Sequence, residues 1–194
     1  MNTSPADASV TFNITMRSFY SKVMYFNGMY KLPIAPYPTL RTEAAYQQER
    51  TGSSNAGPQH IIQRLKDFRK ILSDEITEVD DIIAKIESDG VAEIDILTDI
   101  ADWLNDIIVY CTSEGIRFGI PMTQVQDIIM ASNFSKLGAD GKPIYDERGK
   151  VMKGPHYWKP EPQIKALLLE TIQDHTGAPD ESKRLSQGDS QGST

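Results

Sequence analysis

"HIIQRLKDFRKILSDEITEVDDIIAKIE" spans residues 60–87, and its reading decides the fold. Ile61, Leu65, Phe68, Leu72, Ile76, Val79, Ile83 and Ile86 recur at three- and four-residue steps, the period of a helix with one buried face. The spacing predicts one helix over 60–87. Inside it, "SDEITEVDD" (73–81) sets five acids among nine residues. At roughly 100° per residue, Glu75 lies about 60° from Leu72, the centre of the apolar stripe, with Ile71 and Ile82 on its far side. Glu78 falls about 60° further round, at the stripe's edge. Asp74 and Asp81 point towards the opposite face. Glu75 and Glu78 are therefore expected half-buried, and Asp74 and Asp81 solvated. An unpaired buried carboxylate costs several kcal/mol, so Glu75 needs a compensating partner.

The segment downstream repeats the oddity. A second helix is expected from about 94 to 114, carrying Ile96, Leu97, Ile100, Leu104, Ile107, Ile108 and Cys111. On it Asp95, Asp99, Asp102 and Asp106 share an arc of about 60°. Like charges one turn apart repel, and no Lys or Arg lies between Lys85 and Arg117. A solvated polar face explains any single Asp. Two apolar helices that both place carboxylates in or beside their buried stripes point instead to a shared cation. Oxygen-only donors suit a hard ion, Mg²⁺ or Mn²⁺, of the kind that serves phosphate chemistry.

Outward from these helices the signals weaken. "SFYSKVMYFNGMY" reads as an aromatic, Met-rich first helix, richer in apolar side chains than one small bundle needs, so it is expected to bury against a partner subunit. "KLPIAPYPTL" has three prolines and reads as an extended connector. "QERTGSSNAGPQ" has loop chemistry. Gly90 is expected to stop the long helix. A shorter helix is expected over 122–131, and "PQIKALLLETIQDH" closes the chain as another. Between them "ADGKPIYDERGKVMKG" suits a small β-hairpin with Ile144, Tyr145, Val151 and Met152 as strand residues. The expected architecture is all-α, four to five helices with a small extended flap. Residues 1–14 and 175–194 are expected to be disordered around one domain over 15–174.

Composition narrows the function. The net charge is −7 over 194 residues, which disfavours general binding to polymeric nucleic acid or anionic membranes. The single cysteine, Cys111, excludes a disulfide framework and a Cys-based zinc site and reads as a small core residue. No apolar run approaches the roughly 20 residues of a membrane span. The expected location is the cytoplasm, the host's if the protein is a phage's. His60, His156 and His175 lack acids at ligand spacing and read as structural or exposed. Trp103, Tyr110 and Trp158 read as core or interface residues, with base stacking as the alternative.

"DEITE" (74–78) followed by "ADWLNDIIVY" (101–110) resembles the all-α nucleoside triphosphate pyrophosphohydrolase superfamily, whose helices carry E-E-x-x-E and E-x-x-D. "SNFSK" (132–136) and "DGKPIYDERGKVMKGP" (140–155) are similar to a MazG-like branch found in bacteria and phages. The resemblance covers residues 18–162. It implies a four-helix-bundle fold assembled as a homodimer or tetramer. It implies Mg²⁺-dependent hydrolysis between the α- and β-phosphates, giving a nucleoside monophosphate and pyrophosphate. Carried over, Asp74-Glu75 and Glu78 match the first motif and Asp106 the end of the second. Glu75, Glu78, Asp102 and Asp106 become the metal ligands, with Glu75 or Glu78 orienting or deprotonating the attacking water. The motif's Glu belongs at position 103, where this chain has Trp103, and Asp102 is expected to replace it. Asn133, Lys136 and Lys153 are implied near the phosphates. Lys142, Arg148, Lys150 and Lys153 could close over the substrate as a flap, or form only a solvated hairpin. The branch handles deoxynucleotides, which favours a purine such as dGTP. Phosphoribosyl-ATP, dUTP or dCTP is the alternative substrate, and an ion-binding, non-catalytic helical oligomer the alternative class.

Overall fold

The computed structural model describes residues 18–52, 58–88 and 90–177. Regular structure among them is helical: α1 (Phe19–Met29), α2 (Arg41–Thr51), α3 (Pro58–Thr77), α4 (Val79–Glu87), α5 (Glu93–Arg117), α6 (Met122–Phe134) and α7 (Glu161–Thr176). The all-α class is as expected. There are two more helices than expected, for two separate reasons. The long helix of residues 60–87 is in fact two, broken at Glu78, where the backbone tightens into three-residue turns: Glu78 N–H donates to the Glu75 carbonyl and Asp81 N–H to that of Glu78, both at 3.2 Å. The second reason is α2, which takes Gln48–Thr51 out of the expected loop. The expected tail residues 178–194 and the N-terminal residues 1–14 lie outside the described chain. α7 runs to Thr176 and ends on Gly177 in the left-handed conformation (φ 65°), a common helix stop.

The chain forms two compact units, residues 18–35 with 39–119 and residues 36–38 with 120–177. In the first, α5 is the central rod and α1, α3 and α4 pack on it, with α2 against α3. Its interior holds few apolar side chains, Val23, Ala35, Ile82 and Ile116, and many polar ones. Buried Asn27 ties α1 to α5: Ser113 Oγ donates to its Oδ1 at 2.7 Å and its Nδ2 donates to the Ser113 carbonyl at 3.3 Å. The proline connector runs extended beside the end of α5, with Ala35 N–H on the Ile116 carbonyl and Thr39 N–H on that of Phe118. α2 is held differently. Its one fully buried side chain is Glu43, which accepts from Arg117 Nη1 at 2.5 Å.

In the second unit α6 packs on α7. The expected hairpin is present in minimal form. Tyr145 and Val151 make one isolated antiparallel bridge, and Met152 N–H donates to the Ile144 carbonyl at 2.7 Å. Gly154 closes its base with an N–H bond to the Lys136 carbonyl at 2.9 Å, and a Cβ there would overlap the Leu137 carbonyl. No helix among the described residues is long and apolar enough to cross a membrane.

Candidate active site

Glu75 sits near the C-terminal end of α3 and is buried, 8% exposed. One of its oxygens, Oε2, is enclosed and without a hydrogen-bond partner. Its carboxylate accepts from the Tyr110 hydroxyl of α5. Trp103, two turns earlier on α5, donates its indole N–H to the Glu75 carbonyl at 2.8 Å. The side chain of Trp103 therefore anchors the backbone of Glu75. This contact is invisible in the sequence, because it joins residues 28 positions apart.

Glu78 occupies the break between α3 and α4 and is exposed, where the sequence suggested half-burial. The broken helix turns it out of the stripe. Its carboxyl holds its proton more tightly than an ordinary glutamate. The cause is the crowd of like charges, Glu75 first, then partial desolvation, then Asp106, Asp81 and Asp102. Glu78 thus feels the three carboxylates expected to act with it, from across the α3–α4 break and from the face of α5. Asp102 and Asp106 are exposed on α5. Asp81, assigned to the solvent side, is exposed but contributes to the same field. The Tyr110 phenol is also pushed up, by burial, by its bond to Glu75 and by the negative potential of Glu75, Asp106 and Glu78. Among the described residues no three Asp, Glu, His or Cys side chains stand close enough together, as placed, to hold an ion.

The acidic ridge of α5 divides in two. Lys85 of α4 reaches Asp99 at 2.5 Å, and Asp99 and Asp95 both raise its affinity for its proton. That end is charge-compensated. Among the described residues Asp102 and Asp106 make no ion pair with a cation, and they are the members whose charge acts on Glu78's carboxyl.

Beside the acids lies a cavity of about 360 Å³, lined by Phe26, Phe68, Val109, Arg64, Arg117 and others, and reaching Asp106 and Tyr110. Arg64 donates Nε and Nη2 to Glu114, and Glu114 also faces Arg117 Nε at 3.3 Å. Arg117 completes the chain to Glu43. This buried run of alternating charge was not anticipated. Its signal in the sequence is a Glu and an Arg at 114 and 117, three apart at the C-terminal end of α5.

The residues expected near phosphates all belong to the second unit. Lys136 Nζ donates to Asn133 Oδ1 at 2.6 Å, and Lys153 lies over the Tyr157 ring at 4.5 Å. Cys111 is partly buried, which, with Glu114, pushes its thiol up and makes it a poor nucleophile. No family model matches the chain, and no curated protein matches it. Among solved structures it is similar to a candidate NTP pyrophosphohydrolase from Exiguobacterium sp. 255-15, at 22% identity and a TM-score of 0.46, with 83% of this chain and 100% of that chain covered.

Proposed function

We propose that the chain is a Mg²⁺-dependent (deoxy)nucleoside triphosphate pyrophosphohydrolase of the MazG-like type, cleaving between the α- and β-phosphates. One observation carries the reading: a buried, orphaned carboxylate oxygen on Glu75 beside Glu78, whose carboxyl feels the negative charge of Glu75, Asp106 and Asp102. Folding does not assemble such a set at a helix break without a return, since each unpaired charge works against the fold.

The donor chemistry fits a hard divalent ion. Every member offers oxygen, and Glu78, Asp102 and Asp106 are exposed. When bound, Mg²⁺ or Mn²⁺ supplies charge neutralisation of the triphosphate and of the leaving pyrophosphate. The chain's own contribution is positioning. Trp103 and Tyr110 fix Glu75 from its backbone and from its carboxylate. Glu75 or Glu78 orients and deprotonates the attacking water. Asn133, Lys136 and Lys153 are assigned to the phosphates by the resemblance alone.

Oligomerisation belongs to the same reading. On α5, Ile94, Leu97, Leu104 and Ile108 are exposed and fall within about 80° of one another, an apolar stripe that water does not favour. Phe19, Tyr25, Phe26 and Met29 of α1, and Tyr30 just after it, are likewise exposed. A second copy of this chain, as a dimer or a pair of dimers, is the partner that would cover such faces. The function is tested by incubating the full chain with each (d)NTP and Mg²⁺ and separating the products. Monophosphate and pyrophosphate support the reading; diphosphate and inorganic phosphate, or no turnover of any nucleotide, refute it.

A further inference from the structure

The helix that carries Glu75 and Glu78 breaks where nothing in its own sequence breaks it. Residues 73–87 contain neither glycine nor proline, and Ile76, Val79 and Ile83 keep helical spacing straight through. Glu78 itself keeps right-handed helical angles, φ −62° and ψ −21°. What changes is the hydrogen bonding. In a continuous helix the Asp74 carbonyl accepts from Glu78 N–H and the Glu75 carbonyl from Val79 N–H. Here Glu78 N–H goes to the Glu75 carbonyl at 3.2 Å, and the Thr77 hydroxyl takes the Asp74 carbonyl at 2.7 Å. Val79 N–H has no acceptor among the described residues.

A helix that departs from its ladder without glycine or proline does so at a π-bulge or where a side chain enters the ladder. The turns here are tightened, not widened, which excludes the bulge. The entering group is the indole of Trp103. Its N–H reaches the Glu75 carbonyl at 2.8 Å, closer than the backbone N–H on the same oxygen. Trp103 is half-buried on α5, the central rod of its unit. α5 also holds the far side of the break, through Asp99 and Lys85 of α4, but those side chains are 31% and 52% exposed and such pairs hold weakly. We propose that Trp103 is a positioning residue: by occupying the Glu75 carbonyl it keeps the α3–α4 break open, and so sets where Glu75 and Glu78 stand relative to Asp106, one turn further along α5. This rests on the pyrophosphohydrolase reading for what those carboxylates hold; the origin of the break does not.

The experiment follows amide exchange by NMR in the metal-free full chain and in Trp103→Phe, which keeps an aromatic ring and loses the N–H. With the indole gone, the Glu75 carbonyl is open to Val79. The Val79 amide, quick to exchange in the wild type, should gain protection by roughly fivefold, the factor one hydrogen bond of ordinary net strength is worth. A merely structural role predicts the reverse, protection lost around residue 103 and gained nowhere. Lys85→Met should leave the Val79 amide as in the wild type. Mn²⁺ alone, titrated by electron paramagnetic resonance, should bind Trp103→Phe weaker by roughly tenfold or more, the range for groups that orient metal ligands. A Val79 amide unchanged in Trp103→Phe, or one that gains protection in Lys85→Met, overturns the assignment of the break to Trp103. An unaltered Mn²⁺ affinity in a variant whose Val79 has gained protection overturns the positioning role while the pyrophosphohydrolase reading stands. A wild-type chain that binds no Mn²⁺ and releases no pyrophosphate removes that role together with the reading, and the exchange result still decides the break. If Trp103→Phe does not fold, the wild-type indole decides: a Trp103 N–H that exchanges as fast as a free indole overturns the inference, and a protected one upholds it.

Discussion

Glu75 and Glu78 sit three residues apart and behave as opposites. Glu75 is enclosed, held by Tyr110 and Trp103, and keeps one oxygen without a partner. Glu78 is exposed and carries the repulsion of the whole set. Glu75→Gln keeps the shape and the Tyr110 contact and removes the charge. It should lower turnover by at least ~100-fold, the range for losing a general base or an electrostatic stabiliser. Asp81→Asn should change stability by under ~0.5 kcal/mol and leave turnover nearly intact; equal losses in the two variants would reduce the run to an acidic surface. Glu78 also sets a pH dependence. Its folded-state proton affinity lies above that of the unfolded chain, so folding favours its protonated form. The stability it contributes is complete below the ordinary glutamate range and is lost as pH rises through its raised folded value. In metal-free protein, Glu78→Gln should therefore flatten the fall in melting temperature across that mildly acidic window, and an unchanged profile would show that the crowding is not felt. Glu75's placement was legible from the helical wheel alone. Glu78's was not, because the wheel assumed a helix that continues through it.

At the scale of elements, the sequence pattern marked the segments of every helix but α2, running α3 and α4 together as one. α2 reads "RTEAAYQQERT", and its one fully buried side chain is a carboxylate whose partner, Arg117, lies 74 residues away. No local pattern encodes that pair. Tyr46 of α2 adds its ring beneath the same guanidinium, at 5.7 Å. Breaking a buried ion pair strands the remaining charge, so Glu43→Ala should cost on the order of 3 kcal/mol. Chemical denaturation measures this, and a loss below ~1 kcal/mol would mean α2 is held by other contacts. The break between α3 and α4 was hidden for the opposite reason: Ile76, Val79 and Ile83 keep helical spacing straight across it. The acidic ridge of α5 reads as uniform in sequence, and only the reach of Lys85 from α4 to Asp99 sets one end apart as charge-compensated. In the hairpin, Gly154 is the residue no other can replace, because a Cβ would meet the Leu137 carbonyl. Gly154→Ala should displace the hairpin base, seen as lost protection of the amide at residue 154.

For the whole molecule, the exposed stripe on α5 and the aromatic face of α1 are the part of the sequence reading that a single chain leaves unsatisfied. Light scattering on the purified chain should give a dimer or tetramer, and Leu97→Glu with Leu104→Glu should shift it to monomer; a wild-type monomer would contradict the assembly. The helical class and the acid pairs were legible because both follow from local spacing. The cavity was not, since its walls come from α1, α3, α5 and the connector, brought together only by folding. What unites these levels is one claim, that the carboxylates across the α3–α4 break and α5 form a phosphate-cleaving centre dependent on a divalent ion. The most direct measurement is ³¹P NMR of dGTP incubated with Mg²⁺ and either the wild-type chain or a folded Glu75→Gln variant. Pyrophosphate and dGMP should accumulate with the wild type, stop when the ion is chelated, and be nearly absent with the variant. Products that include dGDP, turnover that survives chelation, or a Glu75→Gln variant as active as wild type would contradict it.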